Sequence, residues 1–297
     1  MSHVIGALRV VLSALVAVFC IASLYAIVSN PLPVWTMVVV VACLIVAVWG
    51  AALLIRHPNG YFFEPLLVLL PGLVAGRLLS TTWLIPAGQP APKVDGLMLG
   101  ETGPGIPFIE PLTLVLGAAV ALYMLAQAQR TISGGSGDAS FRAADWIATL
   151  LRAYVGLMFI SHFTGHVFAG PIPFDVFVDY FGKIGMPFPS ASVVLAGLIE
   201  ITVCIGLAFG LMTRPIAVLG TVYLLFAVGI GGHFSIGYSW ALPGLGVEFP
   251  VFWAFAVALF GIFGAGPISL DARLGLNTSP QALMARARAS NQNGEVG

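Results

Sequence analysis

Five ionisable side chains sit where a lipid bilayer would exclude them. His162 and His166 lie near the end of one apolar run, Glu200 inside the next, His233 at the close of a third and Glu248 at the opening of a fourth. An ionisable group within a membrane span costs a few kcal/mol or more, so by default it marks function. Histidine titrates near neutral pH, and burial raises a glutamate toward the same range. Together such groups can accept the protons released when a quinol is oxidised, or deliver protons to a quinone. His162 and His166 are spaced i, i+4, which puts both on one face of an α-helix. Two other readings suit the same residues. A His-x-x-x-His pair can clamp a metal, and histidines on facing helices can ligate haem. The glutamate of H-E-x-x-H is missing between these histidines and no C-x-x-C-H occurs, so haem is disfavoured and no metal is expected. Histidine and glutamate can also hydrogen-bond across helices and do no more than fix their packing.

The elements that must position these groups follow from composition. The 297 residues are 59% hydrophobic and 8% charged, with a mean hydropathy of +1.01, whereas soluble domains carry about 25% charged residues. One water-soluble core cannot hide so much apolar surface, so the membrane is the solvent. Twelve basic residues balance twelve acidic ones, which leaves no basic face for nucleic acid. A spanning helix needs about 20 apolar residues. Eight runs are candidates, at 4–28, 34–55, 62–84, 110–127, 146–168, 192–212, 215–233 and 249–264. The first is longer than the roughly 7–15 residues of a signal-peptide core, and no A-x-A-like site follows, so it reads as an uncleaved helix.

With the N-terminus in the cytoplasm, nine of the twelve basic residues fall at inner helix ends. Only Lys93 and Lys183 lie in outer loops, and Arg77 lies in the outer part of the third helix. This sorting is the positive-inside pattern. It predicts an all-α protein of eight spans, arranged as two four-helix bundles with both termini cytoplasmic. The units are a first membrane region at 1–130, a cytoplasmic linker at 131–145, a second bundle at 146–275 and a mobile cytoplasmic tail at 276–297. All five ionisable groups then fall in the outer half of the second bundle, with Glu200 about 12 Å down its helix at 1.5 Å per residue.

The outer connection 169–191 carries Phe174, Phe177, Tyr180 and Phe181, which predicts a short amphipathic helix on the membrane face. Tyr238 and Trp240 suit the interfacial aromatic belt, and with Glu248 they are the expected cofactor-facing residues. Arg77 is too costly to face lipid and is expected to pair with Glu101 or Glu110. Arg152 and Arg214 are expected to snorkel to headgroups, with Asp271 as the alternative partner of Arg152. Gly206-x-x-x-Gly210 permits close helix approach. Cys20, Cys43 and Cys204 have no metal or redox spacing and are expected to pack within helices.

Three segments then follow in a telling order: LLRAYVGLMFISHFTGH, MPFPSASVVLAGLIEITVCIGLAFGLMTRP and GAGPISLDARLG. The chain resembles the DoxX family of membrane proteins over about residues 145–275. Arg152, Gly156, His162 and Gly165 carry the likeness in the first segment, Gly197, Glu200 and Arg214 in the second, and Ser269-Leu270-Asp271 in the third. The chain departs from the family in lacking a lysine that members often carry just after the H-x-x-G histidine, and its first four helices lie outside the family's core. The resemblance implies a four-helix bundle in the second half and a multi-pass protein of the bacterial inner membrane. Some relatives are DoxD, the membrane subunit of thiosulfate:quinone oxidoreductase. It therefore implies a membrane subunit of a quinone-linked oxidoreductase, with His162 and Glu200 handling protons and His166 and His233 in support. No flavin, haem or iron–sulfur motif is evident, so a partner subunit would supply the electrons; lipid and quinone are the other expected partners. A non-catalytic accessory subunit and a small-molecule transporter are the rival expectations.

Overall fold

The computed structural model describes residues 2–30, 32–57, 60–80, 93–94, 97–98, 106–133, 141–239 and 246–276. Long helices are α1 (Ser2–Ser29), α2 (Val34–Arg56), α3 (Phe63–Leu79), α4 (Ile109–Ile132) and α5 (Ala143–Leu157). After α5 come a one-turn α6 (Ile160–Phe163) and a π-helical turn (Thr164–Phe168). Then follow α7 (Pro171–Lys183), α8 (Pro189–Phe209), α9 (Thr213–Ile230), α10 (His233–Ile236), α11 (Glu248–Phe263) and α12 (Leu270–Arg273). The one pair of strands described, Lys93–Val94 and Leu97–Met98, is a two-residue antiparallel contact. Trp240, Glu101, residues 134–140 of the linker and residues 277–297 lie outside the described residues.

Helices dominate because a chain in lipid must satisfy its backbone groups within each segment. Among the described residues, six helical stretches are long and apolar enough to cross a membrane: His3–Ser29, Val34–Arg56, Ile109–Ile132, Ala143–Phe168, Pro189–Phe209 and Thr213–Ile230. The other two expected spans form shorter helices, of 17 residues in α3 and 16 in α11. Outward faces carry Val10, Ile21, Ile45, Leu114, Val222 and Phe252, all exposed, as lipid-facing positions would be.

Several boundaries differ from those expected. α4 runs on to Ile132, past the predicted end at 127. α9 stops at Ile230, and a turn through Gly232 (φ +72°) parts His233 from it. The fifth run is broken: α5 ends at Leu157, and the π turn occupies 164–168.

α1 to α4 pack on one another, and α5 and α8 join α9 and α11 in a second group. α3 forms the seam, touching α6, the π turn and α8. One end of the second group is tied by Arg152, which is fully buried. Its Nε donates to the Leu207 carbonyl at 2.9 Å, Nη2 to Ile268 at 3.0 Å, and Nη1 to Ala265. Asp271 accepts from the amides of Met212 (2.7 Å) and Thr213 (2.9 Å), capping the start of α9. Met212 has φ +47°, a left-handed conformation rare for a side chain of its size, and the carboxylate holds it there. Gly210 (φ +67°) closes α8; a Cβ there would lie 2.7 Å from the Arg152 guanidinium carbon. The expectation that Arg152 snorkels to headgroups is corrected by this burial. Its fork suits several fixed carbonyls better than a headgroup.

Where the linker ends, Asp145 accepts from the Arg142 amide (3.0 Å) and binds its guanidinium (2.9 Å), starting α5. That hydrogen bond pushes the Arg142 pKa above its ordinary value.

Candidate functional site

Glu200 lies eleven residues beyond the start of α8 at Pro189, about 17 Å along at 1.5 Å per residue, deeper than the sequence suggested. It is 1% exposed. Its Oε2 lies 2.8 Å from His166 Nδ1, and its Oε1 accepts from the Tyr223 hydroxyl at 2.5 Å. Three elements thus meet: the π turn supplies the imidazole, α8 the carboxylate and α9 the phenol. His166 is 6% exposed, and Phe177 of α7 stands edge-on to its ring at 4.3 Å, with Phe181 at 6.2 Å.

The local backbone explains the aim of His166. A π turn bonds i to i+5 and recurs at functional sites. α8 approaches it closely because Gly197 has no Cβ; one added there would lie 2.1 Å from Val167 Cγ2. The carbonyl of Phe168, at the end of the turn, accepts from the Thr36 hydroxyl of α2 at 2.6 Å. Thr36 is 1% exposed, so a residue of the first half fastens the turn that carries His166.

The predicted residues therefore separate. His166 is the histidine that hydrogen-bonds Glu200, while His162 is exposed and its ring lies against Trp253 of α11 with centroids 5.4 Å apart. His233 is half-buried at the start of α10, Glu248 is exposed at the start of α11, and Tyr238 is exposed. The Glu248 amide donates to the Tyr238 carbonyl at 2.9 Å. None of the three is buried as Glu200 and His166 are, and Trp240 lies outside the described residues. Among the described residues no three of His, Cys, Asp and Glu gather as a metal site. The three cysteines are free, and Cys204 is buried on α8.

Tyr223 was missed. Glu200 lies ten residues before Gly210, and Tyr223 eleven after Met212. A tight turn between antiparallel helices brings such positions to one depth, so hairpin register was the available signal.

A second feature lies on the other side of His162. A cavity of about 250 Å³ opens between α3, the α5–α6 junction and α11, lined by Leu73, Arg77, Ser161, His162, Phe249 and Trp253 among others. Arg77 is 3% exposed.

Chemically, the buried network is made of side chains on side chains. Carboxylate, imidazole and phenol can each gain or lose a proton without releasing a backbone hydrogen bond. The fold is thus that of a multi-pass helical membrane protein with a titratable centre inside its second bundle. Residues 147–233 match the DoxX family model. Inner membrane protein YphA of Escherichia coli (strain K12) is 34% identical over 131 residues, covering 42% of this chain and 89% of that protein. The chain belongs to the DoxX family. No solved structure matches it. The matched segment contains His166, Glu200 and Tyr223, whereas Thr36, Arg77 and Trp253 lie outside it.

Proposed function

We propose that this protein is the integral-membrane subunit of a quinone-linked oxidoreductase and that His166, Glu200 and Tyr223 form its proton-holding centre. The observation that carries the reading is one carboxylate, buried in an apolar bundle, hydrogen-bonded to an imidazole on one oxygen and a phenol on the other. Such a group is retained against a cost of several kcal/mol, and its partners are those that exchange protons. The donor set suits a quinone, whose reduction takes up two protons with two electrons. His166 and Glu200 hold a proton between them and Tyr223 carries another. A partner subunit supplies the electrons, because the chain has no motif for a flavin, haem or iron–sulfur cluster.

The topology that goes with this reading has eight spans, α1 to α5, α8, α9 and α11, with the fifth continuing through α6 and the π turn. Both termini face the cytoplasm of an inner membrane, and α7 lies on the periplasmic side. The distribution of basic residues supports it.

Isolation from native membranes in mild detergent tests the function. The expected result is co-isolation with a redox partner, and quinone-dependent turnover that drops on the order of 100-fold in Glu200→Gln. A complex that assembles and turns over normally with both Glu200→Gln and His166→Gln would make the chain an accessory subunit.

A further inference from the structure

We infer that the cavity at the seam between the two halves is where the quinone ring binds, with Arg77 of the first half and His162 of the second as its polar contacts. The inference rests on the quinone reading above and adds a location to it. The walls have the character a planar ring with opposed carbonyl oxygens requires. Trp253 forms one wall, with Phe249 at 6.2 Å and the His162 ring at 5.4 Å, each tilted 37° to it. Leu73 supplies apolar surface, while Arg77 and His162 bring polar nitrogen groups to the same space. A guanidinium presents N–H groups only, so it selects an oxygen acceptor and not another donor.

Size narrows the ligand further. The cavity measures about 250 Å³, below the roughly 300–1,000 Å³ of pockets that enclose a drug-sized molecule. It admits a single ring and leaves an isoprenoid tail outside. Ser161, His162 and Phe249 line it and are also exposed, so the cavity has a mouth through which a tail can pass. His162 lies four residues before His166. The ring site and the buried proton centre therefore share one stretch of chain, joined through α6 and the π turn. On this account α3 of the first half forms one wall of the site.

Binding of a short-chain benzoquinone to the full-length protein in detergent, followed by tryptophan fluorescence quenching, tests the location. Leu73→Trp fills the cavity and is expected to weaken binding about tenfold or more. Leu219→Trp adds the same indole to an exposed face of α9 and is expected to leave affinity within about twofold. Unchanged affinity in a folded Leu73→Trp protein would overturn the location while leaving the quinone reading in place. A native chain that binds no benzoquinone would overturn the quinone reading itself. Should Leu73→Trp fail to fold, an azido-benzoquinone crosslinked to the native protein decides by mass spectrometry. Labels on peptides containing residues 157–162 or 249–253 support the site, and labels confined to other peptides overturn it.

Discussion

Two buried polar clusters occupy the second bundle, and their partners differ in kind. Near α12, Arg152 donates to carbonyls of Leu207, Ala265 and Ile268, and Asp271 accepts from the amides of Met212 and Thr213. Midway along α8, Glu200 is bonded by the side chains of His166 and Tyr223. The first cluster spends its charge on the backbone. Altering its protonation would release helix ends, so it is suited to holding structure. The second touches other titratable groups and can change protonation while the backbone stays paired. Burial alone does not separate structure from chemistry in a membrane bundle; the identity of the partner does.

That contrast can be broken by substitution. Arg152→Leu should have the largest effect on stability. It strands up to three buried carbonyls at about 1–3 kcal/mol each, and is read as a marked drop in the unfolding midpoint in detergent. Glu200→Gln should do the reverse, lowering quinone-dependent turnover on the order of 100-fold while shifting stability by only about 1 kcal/mol. Equal losses of stability in the two variants would erase the distinction. Asp271→Ala removes the cap of α9 and should cost about 1 kcal/mol, with turnover retained by the folded fraction. Thr36→Val removes the hydroxyl that fastens the π turn. It should cost about 1 kcal/mol and lower turnover a few-fold, with Thr36→Ser restoring both. Asp145→Asn breaks the exposed bond to Arg142 and should leave both midpoint and turnover unchanged, as the control.

Much of this fold was legible because lipid imposes a simple rule. Each apolar run is helical over most of its described length, and Pro171 and Pro189 start helices where proline's missing amide costs nothing. Gly206 and Gly210 read as packing residues, and at Gly210 both the left-handed backbone and the nearby Arg152 exclude a side chain. Glu200 stood out because a carboxylate in an apolar run has few reasons to exist. Its partners were harder to name. The π turn leaves no mark in a 3.6-residue pattern, so nothing singled out His166 over His162 as the histidine that bonds Glu200. Tyr223 looked like one more apolar residue, since its polar end matters only once α8 and α9 are set side by side. Arg152 was misjudged for a related reason: the carbonyls that hold it come from segments 55 to 116 residues away.

Infrared difference spectroscopy on the reconstituted protein tests the central claim most directly. The chain, loaded with a short-chain benzoquinone, would be compared before and after chemical reduction of the quinone with dithionite. The account predicts a change in a carboxyl band that disappears in Glu200→Gln and shifts in Tyr223→Phe. A spectrum in which reduction of the bound quinone leaves every carboxyl band of the native protein unaltered would contradict it.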